Sequence, residues 1–238
     1  MAFQQIAPLF RAAERVEPPP AVVPPRLPAE LLDPARTLLE AHDIHFRHAG
    51  RARPIVNGAT LRIAATDRIL LEGPSGGGKS TFSALLSGLR APESGLLLLD
   101  GFDRATLGAA GWRRRVAAAP QFHENHILTG SFAFNLLVSR RWPPTPFDQA
   151  DAEAICDELS LGDLLARMPS GVEQIVGETG WQLSHGEKSR LHLARALLQT
   201  ADIAVLAETF AALDPETLQR ALECVLARNK AVVVVAHP

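Results

Sequence analysis

The 238 residues are long enough for one large or two small domains with a real core. Hydrophobic residues make up 47% and charged residues 21%, an ordinary balance for a soluble globular protein, and a net charge of −2 gives no electrostatic case for nucleic acid as a partner. Apolar runs such as Ala231 to Ala236 fall far short of the roughly 18 residues of a membrane span, the first twenty residues carry Arg11, Glu14, Arg15 and Glu17 instead of a signal peptide's apolar segment, and two cysteines, Cys156 and Cys224, fit a reducing compartment.

In chain order, Phe3, Ile6, Ala7, Phe10 and Ala13 recur at helical spacing and predict an amphipathic N-terminal helix. Starting at Met1 without a capping residue, it reads as the tail of a longer element. Six prolines in the twelve residues from Glu17 to Pro28 predict a stiff linker. Helix and linker, residues 1–36, are either docked on the domain or a disordered tail. The folded domain is expected over 37–238. Ala41 to Phe46 alternates like a strand, and Ile55 to Ile63 predicts a second one interrupted at Asn57-Gly58.

Arg68 to Glu72 reads as a short buried strand, and Phe82 to Leu89 has helical spacing. Between them lies Gly73-Pro74-Ser75-Gly76-Gly77-Gly78-Lys79-Ser80-Thr81, a G-x-x-x-x-G-K-[ST] loop in the strand–loop–helix context that a phosphate site requires. Its glycines let successive backbone N–H groups point at an anion, and the helix N-terminus adds partial positive charge. Lys79 is expected to reach the terminal phosphates and Ser80 to ligate Mg²⁺. These residues predict a nucleoside triphosphate site.

Beyond the loop, Leu96 to Leu99 and Val116 to Ala119 predict strands. Residues from about 122 to 183 read as a helical insert without a convincing strand, with Ile155, Leu159, Leu161, Leu164 and Leu165 at helical spacing. Glu187 to Gln199 and Pro215 to Arg228 are expected helices, and Ile203 to Leu206 and Val232 to Val235 expected strands. Strands alternating with helices imply an α/β fold with a parallel sheet covered on both faces.

Leu183-Ser184-His185-Gly186-Glu187, followed by the basic helix from Lys188 to Ala196, resembles the signature motif of ATP-binding cassette (ABC) proteins. Other motifs of that family follow in order across about residues 40 to 238. Gln121 stands at the Q-loop, Ile203 to Glu208 at Walker B, Ala211 to Asp214 at the D-loop and His237 at the switch histidine. The resemblance implies a P-loop NTPase core with an antiparallel β subdomain and an inserted α-helical subdomain. It implies ATP and Mg²⁺ as cofactors, Glu208 positioning the attacking water, Gln121 reaching the metal or the water, and His237 donating to the γ-phosphate. Ser184, Gly186 and Glu187 would meet ATP held by the P-loop of a second cassette in a head-to-tail dimer, with Asp214 across the interface.

Val176 to Gly180 resembles the X-loop of ABC exporters, and Ser131 to Leu136 the exporter segment after the Q-loop. These imply an exporter ATPase domain at the cytoplasmic side of a membrane, attached through transmembrane domains and soluble by itself. The N-terminal helix and linker would then be what remains after a subunit's last membrane helix.

Four departures stand out. Ala207 replaces the acid that ends Walker B, His185 and Glu187 stand where Gly and Gln are usual, and the family's adenine-stacking tyrosine aligns with His48 in a chain without tyrosine. The chain also stops at Pro238, before helices usual in the family. His48 stacks on adenine or is an exposed loop histidine. Ala207 is natural or introduced. An active ATPase is therefore expected beside an alternative, a degenerate module that binds ATP and dimerises but hydrolyses poorly. A soluble ABC protein of DNA repair or translation is disfavoured by the X-loop and the missing basic excess.

Overall fold

Thr37–Phe46 forms β1, with Leu38, Leu39, Ala41 and Ile44 buried, and pairs antiparallel with β2 (Val56–Ala64). The computed structural model describes residues 33–119, 126–140, 143–207, 209–229 and 231–236. The expected N-terminal helix and most of the proline-rich linker region lie outside them. The interruption expected at Asn57-Gly58 is instead a bulge within one continuous strand. Asp43 (φ 49°) on β1 and Gly58 (φ 71°) on β2 each take left-handed backbone at one of two successive register shifts.

The chain continues through β3 (Arg68–Leu71), α1 (Lys79–Leu86), β4 (Ser94–Leu99) and β5 (Phe102–Asp103) to α2 (Arg104–Arg115) and β6 (Val116–Ala119). Next come β7 (Gly130–Ser131), α3 (Phe132–Leu137), α4 (Pro146–Glu158), α5 (Gly162–Arg167), a 3₁₀ turn and β8 (Ile175–Val176). The last elements are α6 (His185–Leu197), β9 (Ile203–Ala207), α7 (Pro215–Arg228) and β10 (Ala231–Val235).

Two elements depart from the sequence reading. Helix α2 was not expected, because Gly108 breaks its helical path (φ 70°, ψ 159°) and only Leu107, Ala109 and Trp112 are buried on it. Asp103 starts it by accepting the Thr106 N–H at 2.8 Å. The insert is not strand-free either: β7 and β8 pair antiparallel, Gly130 with Val176 and Ser131 with Ile175. Strands of two residues are too short to show alternation.

The main strands make two sheets, antiparallel β2-β1-β4-β5 and parallel β3-β10-β9-β6. The parallel sheet separates two cores by the strand period of two. Ile203, Val205, Ala231 and Val233 face the core built on the antiparallel sheet and α1. Ala204, Leu206 and Val232 face the core built on the helical insert, α6 and α7. Arg115, at the end of α2, pairs with Asp100 and, at 2.7 Å, with Asp202, which ties the turn after β4 to the start of β9. Trp112, fully buried, donates its indole N–H to the Leu86 carbonyl at 2.9 Å and locks α2 onto the end of α1.

Candidate functional site

The P-loop leaves the carboxyl end of β3 and enters α1 at Gly78. Gly78 is the helix N-cap in left-handed conformation (φ 84°) and makes no side-chain cap hydrogen bond, so the positive end of α1 faces the loop. A Cβ at Gly78 would lie 2.6 Å from the Ile55 carbonyl oxygen, so both the backbone angle and the space require glycine. Lys79 is buried, and its Nζ donates to the carbonyls of Gly73 (2.6 Å) and Pro74 (3.0 Å). Its ammonium is thereby held over its own loop. Ser80 follows, half-buried, on the first turn.

Thr81 connects the loop to His48. The His48 Nε2 lies 3.1 Å from the Thr81 Oγ1, and the imidazole stands edge-on to Phe46, centroids 5.1 Å apart. Arg90 lies over the other partner of this group, 5.8 Å from the Phe46 centroid. Phe46 and Arg90 carried no functional signal in the sequence, since each is an isolated residue far along the chain from the loop.

Gln121, Glu208 and His237 lie outside the described residues. The described residues before them end at one edge. Ala119 closes β6, Ala207 closes β9, and the Ala236 N–H after β10 donates to the Leu71 carbonyl at 3.2 Å. All are carboxyl ends of parallel strands, the edge from which the P-loop also emerges. Ala207 is 3% exposed and in register with Val235, and β9 packs against α1. Buried Thr209 donates to the carbonyl of Ala119 or Ala207 at 3.3–3.4 Å and ties the ends of β6 and β9 together.

A second polar surface forms at the start of α6. Exposed Ser184 is the N-cap: its Oγ accepts the Glu187 N–H at 3.2 Å, and Glu187 Oε2 accepts the Ser184 N–H at 2.7 Å. The other oxygen of Glu187 accepts from Arg167. Burial pushes the Glu187 carboxyl upward, but the Ser184 N–H, the Arg167 guanidinium and the Ser184 side chain outweigh it and hold the acid below its usual range. Its carboxylate is thus turned inward, where it shapes this loop. Gly186 lies against the segment Ala211 to Asp214, where a Cβ would come within 3.2 Å of the Ala212 carbonyl oxygen. Exposed Asp214 caps α7 through the Thr217 N–H at 3.1 Å.

The P-loop and the Ser184 loop do not form one site within the chain. The first follows the edge strand β3, whereas α6 packs on β6 and β9 toward the other edge. Three strand spacings separate β3 from β6, about 14 Å. By contrast, the β7–β8 pair joins the two exporter-like segments. Asn135, fully buried, accepts from the Leu128 N–H at 2.9 Å and from Arg195 of α6 at 3.0 Å, while Gln182 donates to the Gly177 carbonyl at 2.8 Å.

The uncapped glycine cradle and the lysine poised over it fit a triphosphate. For a divalent cation the described residues offer the Ser80 hydroxyl, with the buried methyl of Ala207 at the strand end expected to carry an acid. No cluster of three His, Cys, Asp or Glu side chains able to hold a metal occurs among the described residues.

Comparison with known proteins agrees with this geometry. The family described as ABC transporter matches residues 56–211. The chain is 32% identical over 202 residues to the ABC multidrug transporter MDR2 of Trichophyton tonsurans, covering 84% of this chain and 15% of that protein. It is 33% identical over 201 residues to the mycobactin import ATP-binding/permease protein IrtB of Mycobacterium tuberculosis, covering 84% and 34%. A solved bacterial Atm1-family ABC exporter with ATP bound superposes with a TM-score of 0.77 at 29% identity, covering 99% of this chain and 40% of that one. The chain therefore spans well under half the length of these relatives.

Proposed function

Because the chain belongs to the ABC transporter family, as an ATP-binding domain of the exporter type, we propose that it powers transport across a membrane by closing on ATP as a head-to-tail pair and reopening after hydrolysis. The observation that carries this reading is that the P-loop follows the edge strand β3 whereas the Ser184 loop opens a helix packed on β6 and β9. One copy holds a triphosphate from one side only, and a second copy turned by a two-fold axis supplies the missing side.

In this cycle the amides of residues 76 to 80 and the Lys79 ammonium bind the phosphates. His48 stacks on the base, and the Ser184 hydroxyl, whose oxygen already accepts from Glu187, donates its own proton to the γ-phosphate of the facing copy. Asp214, beside Gly186, meets that copy across the interface. Glu208 orients the attacking water, Gln121 lies beside it, and His237 donates to the developing charge. Ser80 would hold Mg²⁺ together with phosphate oxygens, and the ion would supply charge neutralisation there.

Coupling runs through the paired segments Ser131–Leu136 and Val176–Gly180, which would contact transmembrane domains and place the chain at the cytoplasmic face of the membrane. No described helix is itself long and apolar enough to cross one. Light scattering of the chain with and without ATP tests the cycle: a dimer is expected with ATP, accumulating further in Glu208→Gln, and a chain that binds ATP yet stays monomeric overturns it.

The buried methyl of Ala207 favours a second reading. The chain binds ATP and dimerises, while a partner cassette with a complete Walker B acid does most of the hydrolysis. Turnover of radiolabelled ATP by the isolated chain separates the two.

A further inference from the structure

The loop that opens α6 carries a carboxylate where its family usually has an uncharged glutamine. Glu187 sits on the first helical turn, directly behind exposed Ser184 and His185. Under the head-to-tail reading, that turn receives a triphosphate from the second copy. A full negative charge there would repel it, since like charges brought together at an interface oppose association.

The fold supplies an answer from another element. Arg167, the last residue of α5, donates to Glu187 Oε1, while the second carboxylate oxygen is taken by the Ser184 N–H. The Glu187 side chain is 9% exposed and that of Arg167 60%, so the guanidinium lies over the acid on the solvent side. Arg190 also feels the charge of Glu187, but its hydrogen bonds go elsewhere, to the carbonyls of Gly186 (3.3 Å), Leu159 (3.3 Å) and Ser160. Asp163 offers Arg167 its backbone carbonyl at 3.3 Å, and Asp214 adds negative charge on the α7 side.

We propose that Arg167 is a positioning residue whose guanidinium cancels the charge of Glu187 and keeps its carboxylate turned into the cap, so that the Ser184 loop can accept the γ-phosphate of a nucleotide held by a second copy. This rests on the head-to-tail reading. The arginine acts through Glu187 and touches no nucleotide itself.

The test compares the unsubstituted chain with R167Q, E187Q and the double variant, following dimer formation by light scattering with a non-hydrolysable ATP analogue, and monomer nucleotide binding by calorimetry. R167Q is expected to weaken dimerisation roughly tenfold or more, because an uncancelled carboxylate then faces the phosphates, while nucleotide binding at the P-loop is unchanged. The defect should shrink as salt is raised. E187Q and R167Q/E187Q should dimerise like the unsubstituted chain, because without the carboxylate nothing remains to cancel. An arginine that merely braces α5 against α6 would leave the double variant as impaired as R167Q, and that result overturns the proposal, as does normal dimerisation of R167Q. If R167Q fails to fold, the E187Q pair decides by itself: equal dimerisation supports the proposal and a loss in the double overturns it. A chain that binds nucleotide and never dimerises, whatever residue stands at 167, sinks the head-to-tail reading and this inference with it. Normal dimerisation of R167Q sinks the inference alone.

Discussion

The ammonium of Lys79 and the carbonyl oxygen of Gly73 are 2.6 Å apart, so the residue expected to grip a phosphate holds its own loop closed. A triphosphate would compete with that carbonyl and with Pro74 for the three N–H donors of the ammonium. In Lys79→Ala both functions are lost. Removing a charge-assisted hydrogen bond is expected to weaken ATP binding about 10- to 100-fold by calorimetry. Unchanged affinity would remove the P-loop from the nucleotide site.

Ala207 ends a fully buried strand that packs on α1, so a carboxylate in its place would fall near Ser80. Restoring a group to the metal's surroundings is typically worth about 10- to 100-fold in metal affinity or activity. Ala207→Asp is expected to lower the Mg²⁺ concentration that supports half-maximal ATPase and to raise the rate. Coincident Mg²⁺ titrations for the two proteins would show that residue 207 does not face the metal.

His48 touches both Phe46 and Thr81, and its two possible duties separate by ligand. A base stacked on the ring is worth about 1–3 kcal/mol. His48→Ala should therefore weaken ATP about tenfold or more and leave inorganic triphosphate unaffected. Equal losses for both ligands would mean that His48 only steadies Thr81.

His192, 3% exposed on α6, has no hydrogen-bond partner on either ring nitrogen among the described residues. Burial, together with the positive charges of Arg195, Lys188 and His126, pulls its pKa down to about 4. The neutral form belongs to the folded state, so its full stability holds above the unfolded value of about 6.5 and is lost as pH falls through 4. The loss is on the order of 3 kcal/mol. Thermal unfolding should drop between pH 6.5 and 4 more steeply in this chain than in His192→Leu. Parallel curves would place the acid sensitivity elsewhere.

Legibility followed the length and regularity of each signal. The P-loop could be read because its chemistry is contiguous, and β9 and β10 because doubly buried parallel strands are unbroken apolar runs. Helix α2 was hidden by Gly108 and by three consecutive arginines at its end. The β7–β8 pair was hidden by its brevity, although it is what joins the two exporter-like segments. The direction of the Glu187 carboxylate, into the capping box, is not given by a motif, which places residues along a chain and does not show which way a side chain turns. The capping box, S-x-x-E at 184–187, was a signal that pointed inward. Arg167 lies twenty residues upstream of its partner, a distance that sequence spacing does not bridge.

The two faces of the parallel sheet differ in texture. Toward the antiparallel core stand Val116, Ile203, Val205, Ala231 and Val233; toward the helical core stand Ala117, Ala119, Ala204, Leu206 and Val232. Ala117 and Ala119 keep β6 small where α6 packs on it, and Ser184 is carried at the helix's far tip. From Ala194 to Ser184 is a lever of about 15 Å along the helix axis. One methylene added at Ala204 or Ala117, enough to tip the helix by about 5°, would swing the serine more than about 1 Å, sufficient to miss a hydrogen bond. The placing of Ser184 is therefore calibrated in the interior, by alanines on other elements.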